Sequence, residues 1–150
     1  MDSFDLAILR ILQQDNTTPQ RQIGEAVNLS APSVQRRIRR MEEEGVITAN
    51  VAVVAPNRVG LPLTIFALVE LVSETPEDID AVKRRLRDAP EVQQCFYVTG
   101  ETDFVLQIAV ESMAAYEDFT RRAFFQGGNV RKFRTLVCMD AVKTGNRLNF

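Results

Sequence analysis

Apolar residues follow two regimes along this chain. Up to Gly45 they recur at helical spacing, and from Leu63 onward β-branched and aromatic runs alternate with two amphipathic stretches. Phe4, Ile8, Leu9, Ile11 and Leu12 form one stripe, which predicts a first helix ending before the turn residues Asp15 and Asn16. Thr18 is placed to cap a second helix, with Pro19 in its first turn and Ile23, Ala26 and Val27 facing inward. Asn28-Leu29 turns the chain, and Ser30 caps a third helix from Ala31 to Glu44, with Pro32 in its first turn and Gly45 to end it. Helix, helix, short turn, helix is the outline of a helix-turn-helix. Val46 to Val54 reads as extended chain, either a wing or a linker strand.

The second regime predicts four strands and two helices. Leu63 to Val72 is a strand. Thr75 caps a helix with Pro76 at its first position and Ile79, Val82 and Leu86 inward. Val92 to Thr99 and Phe104 to Glu111 flank the turn Gly100-Glu101-Thr102-Asp103 as a hairpin. Ser112 caps a helix whose Met113, Tyr116, Phe119 and Ala123 share a face, Gly127-Gly128-Asn129 ends it, and Val130 to Val142 is the last strand. The order βαββαβ closes most economically as an antiparallel sheet with both helices on one side, a ferredoxin-like sandwich. The fold class is therefore α+β. An N-terminal helix-turn-helix, winged-helix-like domain over residues 1–50 is followed by a linker strand and loop over 51–62, interrupted by Pro56, Gly60 and Pro62, and by the sandwich over 63–150. The uncovered sheet face should be polar in a monomer, yet both faces are substantially apolar: Leu63, Ile65, Ala67, Val69 and Leu71 alternate with Thr64, Phe66, Leu68, Glu70 and Val72, and Phe96 and Val98 with Cys95, Tyr97 and Thr99. An apolar face of this kind predicts that two copies pack sheet to sheet, and such a dimer would offer two helix-turn-helix units to successive major grooves.

Charge sharpens the first half. The chain has 150 residues, 45% hydrophobic and 25% charged, with a net charge of −2, so attraction to phosphate must come from a local patch. On the third helix Val34, Ile38 and Met41 form one stripe, and Pro32, Ser33, Arg36, Arg39 and Arg40 point the other way. Arg36, Arg37, Arg39 and Arg40 occur with no acid between them, and guanidinium forks suit phosphate oxygens and the guanine edge. The candidate DNA-contacting set is Ser30, Pro32, Ser33, Gln35, Arg36, Arg37, Arg39 and Arg40; the alternative is a solvated helix face. Glu42, Glu43 and Glu44 repel phosphate, so contact belongs to the first two turns.

The chemistry of the remainder is sparse. There is no histidine, which removes the common general base and the His-containing zinc sites, and Cys95 and Cys138 are too few for a thiolate metal site and read as apolar fillers. No nucleophile–base pair can be named, no metal is expected, and no apolar stretch approaches the length of a membrane span. The chain reads as cytoplasmic and reduced.

Several segments together resemble the Lrp/AsnC, or feast/famine, transcriptional regulators. Asp5 to Asp15 is similar to the family's opening helix, Leu29-Ser30 with Ser33-Val34 and Arg36-Arg37-Ile38 to its recognition helix, Glu44-Gly45-Val46-Ile47 to its helix end, and Asn57-Arg58-Val59-Gly60 to its linker. Val98 to Phe104 resembles its glycine-acid-x-Asp-aromatic turn, and Thr135 to Met139 with Val142-Lys143 its last strand. Glu101 stands where that turn more often carries Asp, and Asn50-Val51 where the linker strand commonly has tyrosine. The resemblance implies double-stranded operator DNA as partner, an amino acid or related small molecule as effector, no further cofactor, and homodimers assembling into octamers or similar rings with the effector between dimers. Carried over position by position, the effector region is Tyr97, Gly100, Thr102, Asp103, Met113, Leu136, Val137 and Cys138. The turn has its own chemistry: Gly100 frees backbone N–H groups toward a carboxylate, and Asp103 offers a counter-charge to an ammonium. The other reading is a plain hairpin turn with Asp103 bonded to backbone, and Met113 as a core or interface residue.

Two function classes follow: a DNA-binding transcriptional regulator modulated by an amino acid, and an amino-acid-binding regulatory subunit or enzyme of metabolism that does not touch DNA.

Overall fold

Three helices open the computed structural model, which describes residues 1–150. They are α1 (Ser3–Leu12), α2 (Gln20–Val27) and α3 (Ala31–Glu43). Ile8, Leu9, Ile23, Val27, Val34 and Met41 bury their side chains together, with Leu29, Ile38 and Ile47 packed against them. These helices belong to a unit of Met1–Val53 with Lys143–Phe150; a second unit is Val54–Val142. In this division the tail Lys143–Phe150 groups with the helices. Its cause is polar: the Gln13 amide donates to Leu148 O at 3.1 Å and accepts from Leu148 N–H at 2.7 Å, and Arg10 Nε donates to Phe150 O at 2.7 Å.

The second unit contains β1 (Leu63–Leu71), α4 (Pro76–Asp88), β2 (Val92–Tyr97), β3 (Phe104–Val110), α5 (Met113–Thr120) and β4 (Val130–Val137). The sheet is antiparallel in the order β2-β3-β1-β4, as a βαββαβ chain requires. Ile65, Ala67, Val69 and Leu71 of β1 and Phe104, Leu106 and Ile108 of β3 meet Val82 and Leu86 of α4 and Tyr116 and Phe119 of α5 in one core. Past α5 the chain runs on as a π-helical turn, Arg121–Gln126, and Arg85 of α4 closes it by donating to Ala123 O, Gly127 O and Gly128 O at 2.7–2.9 Å. On the opposite face Phe66 pairs with Leu136, and Val105 lies between Leu68 and Phe96. Phe96 and Leu136 are more than half exposed, so this face is apolar and uncovered within the chain.

Some local expectations change. Thr18 does not cap α2: its hydroxyl donates to Asp15 O at 2.7 Å, and Pro19 occupies the cap position with no side-chain bond. Ala26 is exposed, and Phe4 is exposed as well, its place in the buried stripe being taken by Asp5. Met113, expected on the inner face of α5, is also exposed. Val46 to Val54 forms no strand, because a strand needs a second strand beside it and none runs there; the Val46 and Ile47 N–H groups turn back to Met41 O instead, at 2.8 and 3.0 Å. Strand β4 stops at Val137, five residues short of the expected end.

Candidate functional site

Helix α3 is built to present its first turns. Ser30 Oγ accepts from Ser33 N–H at 3.4 Å, Pro32 sits where no N–H is needed, and Gly45 at φ +71° ends the helix. The turn before it depends on a residue that the apolar pattern does not reveal. Gly24 in α2 accepts the Leu29 N–H at 2.9 Å, and a side chain there would lie 2.4 Å from Leu29 O. Asn28 takes the left-handed conformation at φ 57° to complete the turn.

On the outer side of α3, Ser33, Arg36, Arg37 and Arg40 line a shallow hollow of about 280 Å³. Ser30, Pro32, Gln35, Arg36, Arg39 and Arg40 are exposed, and Ser33 and Arg37 are half-buried. The four arginines differ in their partners. Arg39 Nε donates to Glu43 at 2.9 Å, a turn away on the same helix. Arg37 Nη1 donates to Asp2 and to Asp5, each at 2.8 Å, and Arg40 Nη2 donates to Asp5 at 2.6 Å. Arg36 alone has no carboxylate partner. Burial on its own would raise the Asp5 carboxyl, but the Asp2 N–H, the Arg37 guanidinium and the Arg40 charge outweigh it and hold the group below its ordinary value.

The effector candidates form two groups. At one end of the sheet Asp103 N–H donates to Val69 O at 2.9 Å, its carboxylate Oδ2 accepts from Leu71 N–H at 2.7 Å, and Thr102 Oγ1 donates to Val69 O at 2.9 Å. The Asp103 carboxylate therefore braces the neighbouring strand, while its C=O accepts from Val98 N–H at 2.9 Å and closes its own turn; its second carboxylate oxygen bonds to nothing in the chain. Gly100 takes φ +137° with open space around it. Tyr97 leans on Phe104 with ring centroids 5.1 Å apart, under Lys83 Nζ at 4.8 Å from its ring. At the other end Cys138 N–H donates to Thr64 O at 2.9 Å, beside Leu136 and Val137, and Met113 opens α5 just after β3 leaves the sheet. Val69 and Thr64 are five residues apart on β1, about 16 Å of strand. One protomer does not bring Asp103 and Cys138 together.

Beside the first group, α4 and β2 enclose a cleft of about 450 Å³ lined by Lys83, Leu86, Arg87, Cys95, Tyr97 and Phe104. Only Tyr97 of the candidates lies in it. Burial pushes the Cys95 thiol up, partly offset by the Arg87 charge, so it is a weak nucleophile. No group of His, Cys, Asp and Glu side chains is arranged to hold a metal ion, and no helix is long and apolar enough to cross a membrane.

The Lrp/AsnC ligand binding domain family matches residues 64–148, and a winged helix-turn-helix DNA-binding family matches residues 1–48. An uncharacterised HTH-type transcriptional regulator from Sinorhizobium fredii is 38% identical over 143 residues, covering 95% of this chain and 85% of that protein. Among solved structures, an AsnC family transcriptional regulator from Agrobacterium tumefaciens superposes with a TM-score of 0.91 at 32% identity, over 99% of this chain and 97% of that one. A transcriptional regulator from Neisseria meningitidis in complex with L-Met gives 0.90 at 27% identity, over 99% and 96%.

Proposed function

This chain belongs to the Lrp/AsnC family of transcriptional regulators, and from that premise we propose how its two units divide the work. The protein binds operator DNA through α3 and answers to an amino acid or a close relative held by the sheet unit. The observation that carries the DNA reading is the set of exposed side chains on the first two turns of α3, led by the unpaired Arg36. Ser30, Ser33 and Gln35 add neutral donors and acceptors around it, and Pro32 adds an apolar contact. Arg39 reaches phosphate from an exposed pair that a duplex can outcompete.

The effector reading rests on the separation of the two groups along β1. A ligand of amino-acid size spans a few ångströms, so Gly100, Thr102 and Asp103 of one copy must meet Met113, Leu136, Val137 and Cys138 of another. Backbone N–H groups near Gly100 receive the carboxylate, and the free oxygen of Asp103 receives the ammonium. The L-Met complex of the Neisseria relative supports this ligand class. The uncovered face of Phe66, Leu68, Phe96, Val105 and Leu136 supports a dimer that packs sheet to sheet, and dimers assemble further, to an octamer, where the effector groups meet. The protein works in the cytoplasm, where its DNA is.

The test is a titration of duplex selected from random sequence by the wild-type protein. Arg36→Ala weakens binding by about 1–3 kcal/mol at fixed salt. Equal affinity for the two proteins rejects α3 as the reading helix.

A further inference from the structure

Four guanidiniums within five residues of one helix would bind any duplex, because each phosphate contact releases counterions whatever the sequence. Four carboxylates stand against them. Two, Glu43 beside Arg39 and Glu44 beside Arg40, are ordinary exposed partners. The other two form a built site on α1. Asp5 is 1% exposed and sits where the helical stripe calls for an apolar side chain. Its two oxygens divide between Arg37 and Arg40, and Asp2 gives Arg37 a second acceptor. The two acids lock one another by reciprocal capping bonds: Asp5 N–H donates to Asp2 at 2.9 Å and Asp2 N–H to Asp5 at 3.0 Å. The Arg37 guanidinium also lies over the Phe4 ring at 5.4 Å, and its side chain keeps 22% of its exposure.

We infer that Asp5, aided by Asp2, is a positioning residue that withholds Arg37 and Arg40 from the phosphate backbone, leaving Arg36 as the free cation of the reading helix and suppressing binding to non-operator DNA. To reach a phosphate, Arg37 must leave a buried carboxylate with one partner fewer, and that loss opposes the contact. Arg40, half exposed and held by one hydrogen bond to Asp5 with Glu44 at 3.9 Å, is withheld less firmly. Neutralised charges cost affinity for every duplex, but base contacts made by Arg36 and its neutral neighbours are untouched. The ratio of operator to non-operator affinity, set by those base contacts, is therefore kept, and what falls is the absolute affinity for non-operator duplex. This inference rests on α3 being the helix that reads DNA.

The experiment measures log K against log salt for a random-sequence duplex and for the selected site, with the full-length protein. Asp5→Asn keeps the shape of the side chain and removes its charge. It should tighten binding to the random duplex and steepen the slope by about 0.9 for each guanidinium released. On the random duplex, where Arg36 has only phosphate to meet, Arg37→Met should leave the slope at the wild-type value, whereas Arg36→Ala should make it shallower by about 0.9. A folded Asp5→Asn protein with the wild-type slope overturns the inference. So does an Arg37→Met protein that loses as much slope as Arg36→Ala, and this comparison decides the matter alone if Asp5→Asn has no cooperative melt. Should Arg36→Ala itself bind like wild type, the DNA-reading surface is elsewhere and both readings fall; a normal Arg36→Ala result with a reduced Arg37→Met slope sinks only the clamp.

Discussion

Asp5 stays ionised in a position that packing alone would give to a hydrophobic side chain. Burial opposes its charge, while the Asp2 N–H, Arg37 and Arg40 favour it more strongly, and the net pKa falls below the ordinary 3.8. A carboxyl whose folded pKa is depressed stabilises the fold fully above its unfolded value and loses that contribution as pH drops through the folded value. Asp2, held down first by the Asp5 N–H and then by Arg37, acts in the same direction. The helical unit should therefore weaken below about pH 4. Melting curves between pH 3 and pH 6 should show a smaller acid loss in Asp5→Asn than in wild type; parallel curves would assign the loss to other groups. The sequence shows only part of this. An acid in the first turn of a helix reads as a dipole partner or a cap, and Asp5 is indeed half of a capping box. Its pairing with Arg37, 32 positions away, has no local signature. Arg36, by contrast, was legible, since it needs only to face away from Val34 and Met41.

At the level of elements, a pattern is readable where an element is decided by its own residues. Helix α3 follows from its stripe, its Ser30 cap and Gly45, and the βαββαβ order follows from alternating periods. Val46 to Val54 misleads for the opposite reason: β-branched residues favour extended backbone, but a strand is a property of two segments, and Val53 is almost fully exposed with no partner. The turn between α2 and α3 is an intermediate case. Its Asn28 is a turn residue on sight, while the need for Gly24 comes from the 2.4 Å approach of Leu29 O, which only the fold creates. Gly24→Ala is thus a conflict of two effects. Alanine gains about 1 kcal/mol of helix propensity, but overpacking against a backbone carbonyl that cannot swing aside costs typically 1–3 kcal/mol or more, about the upper part of that range here. A lower melting temperature with weaker DNA binding is expected, because the turn sets the angle of α3. A raised melting temperature would show that the α2–α3 turn can relax.

At the scale of the whole molecule, the proposed effector site has to draw on two copies, because its two groups lie at opposite ends of β1. The positions come from family resemblance, and a sequence cannot reveal that strand register puts Asp103 and Cys138 at opposite ends of β1. If the site is composite, each pocket takes its turn from one protomer and its Met113 and β4 side from another. Asp103→Asn removes the counter-charge while the amide oxygen still accepts the Leu71 N–H, so the hairpin survives. Met113→Arg blocks the other half at an exposed residue without touching the core. Each variant alone should lose its response to amino acid, L-Met being the first to try. When the two are refolded together in equal amounts, random pairing joins an intact turn to an intact Met113 side in about a quarter of the pockets. Calorimetric titration of the mixture should recover binding at about that fraction of wild-type stoichiometry, with wild-type affinity. A site contained within one protomer leaves every pocket in the mixture with one lesion, and the mixture then binds no better than its parents. That result would return the two groups to separate roles, with Asp103 a strand brace and Met113 an interface residue.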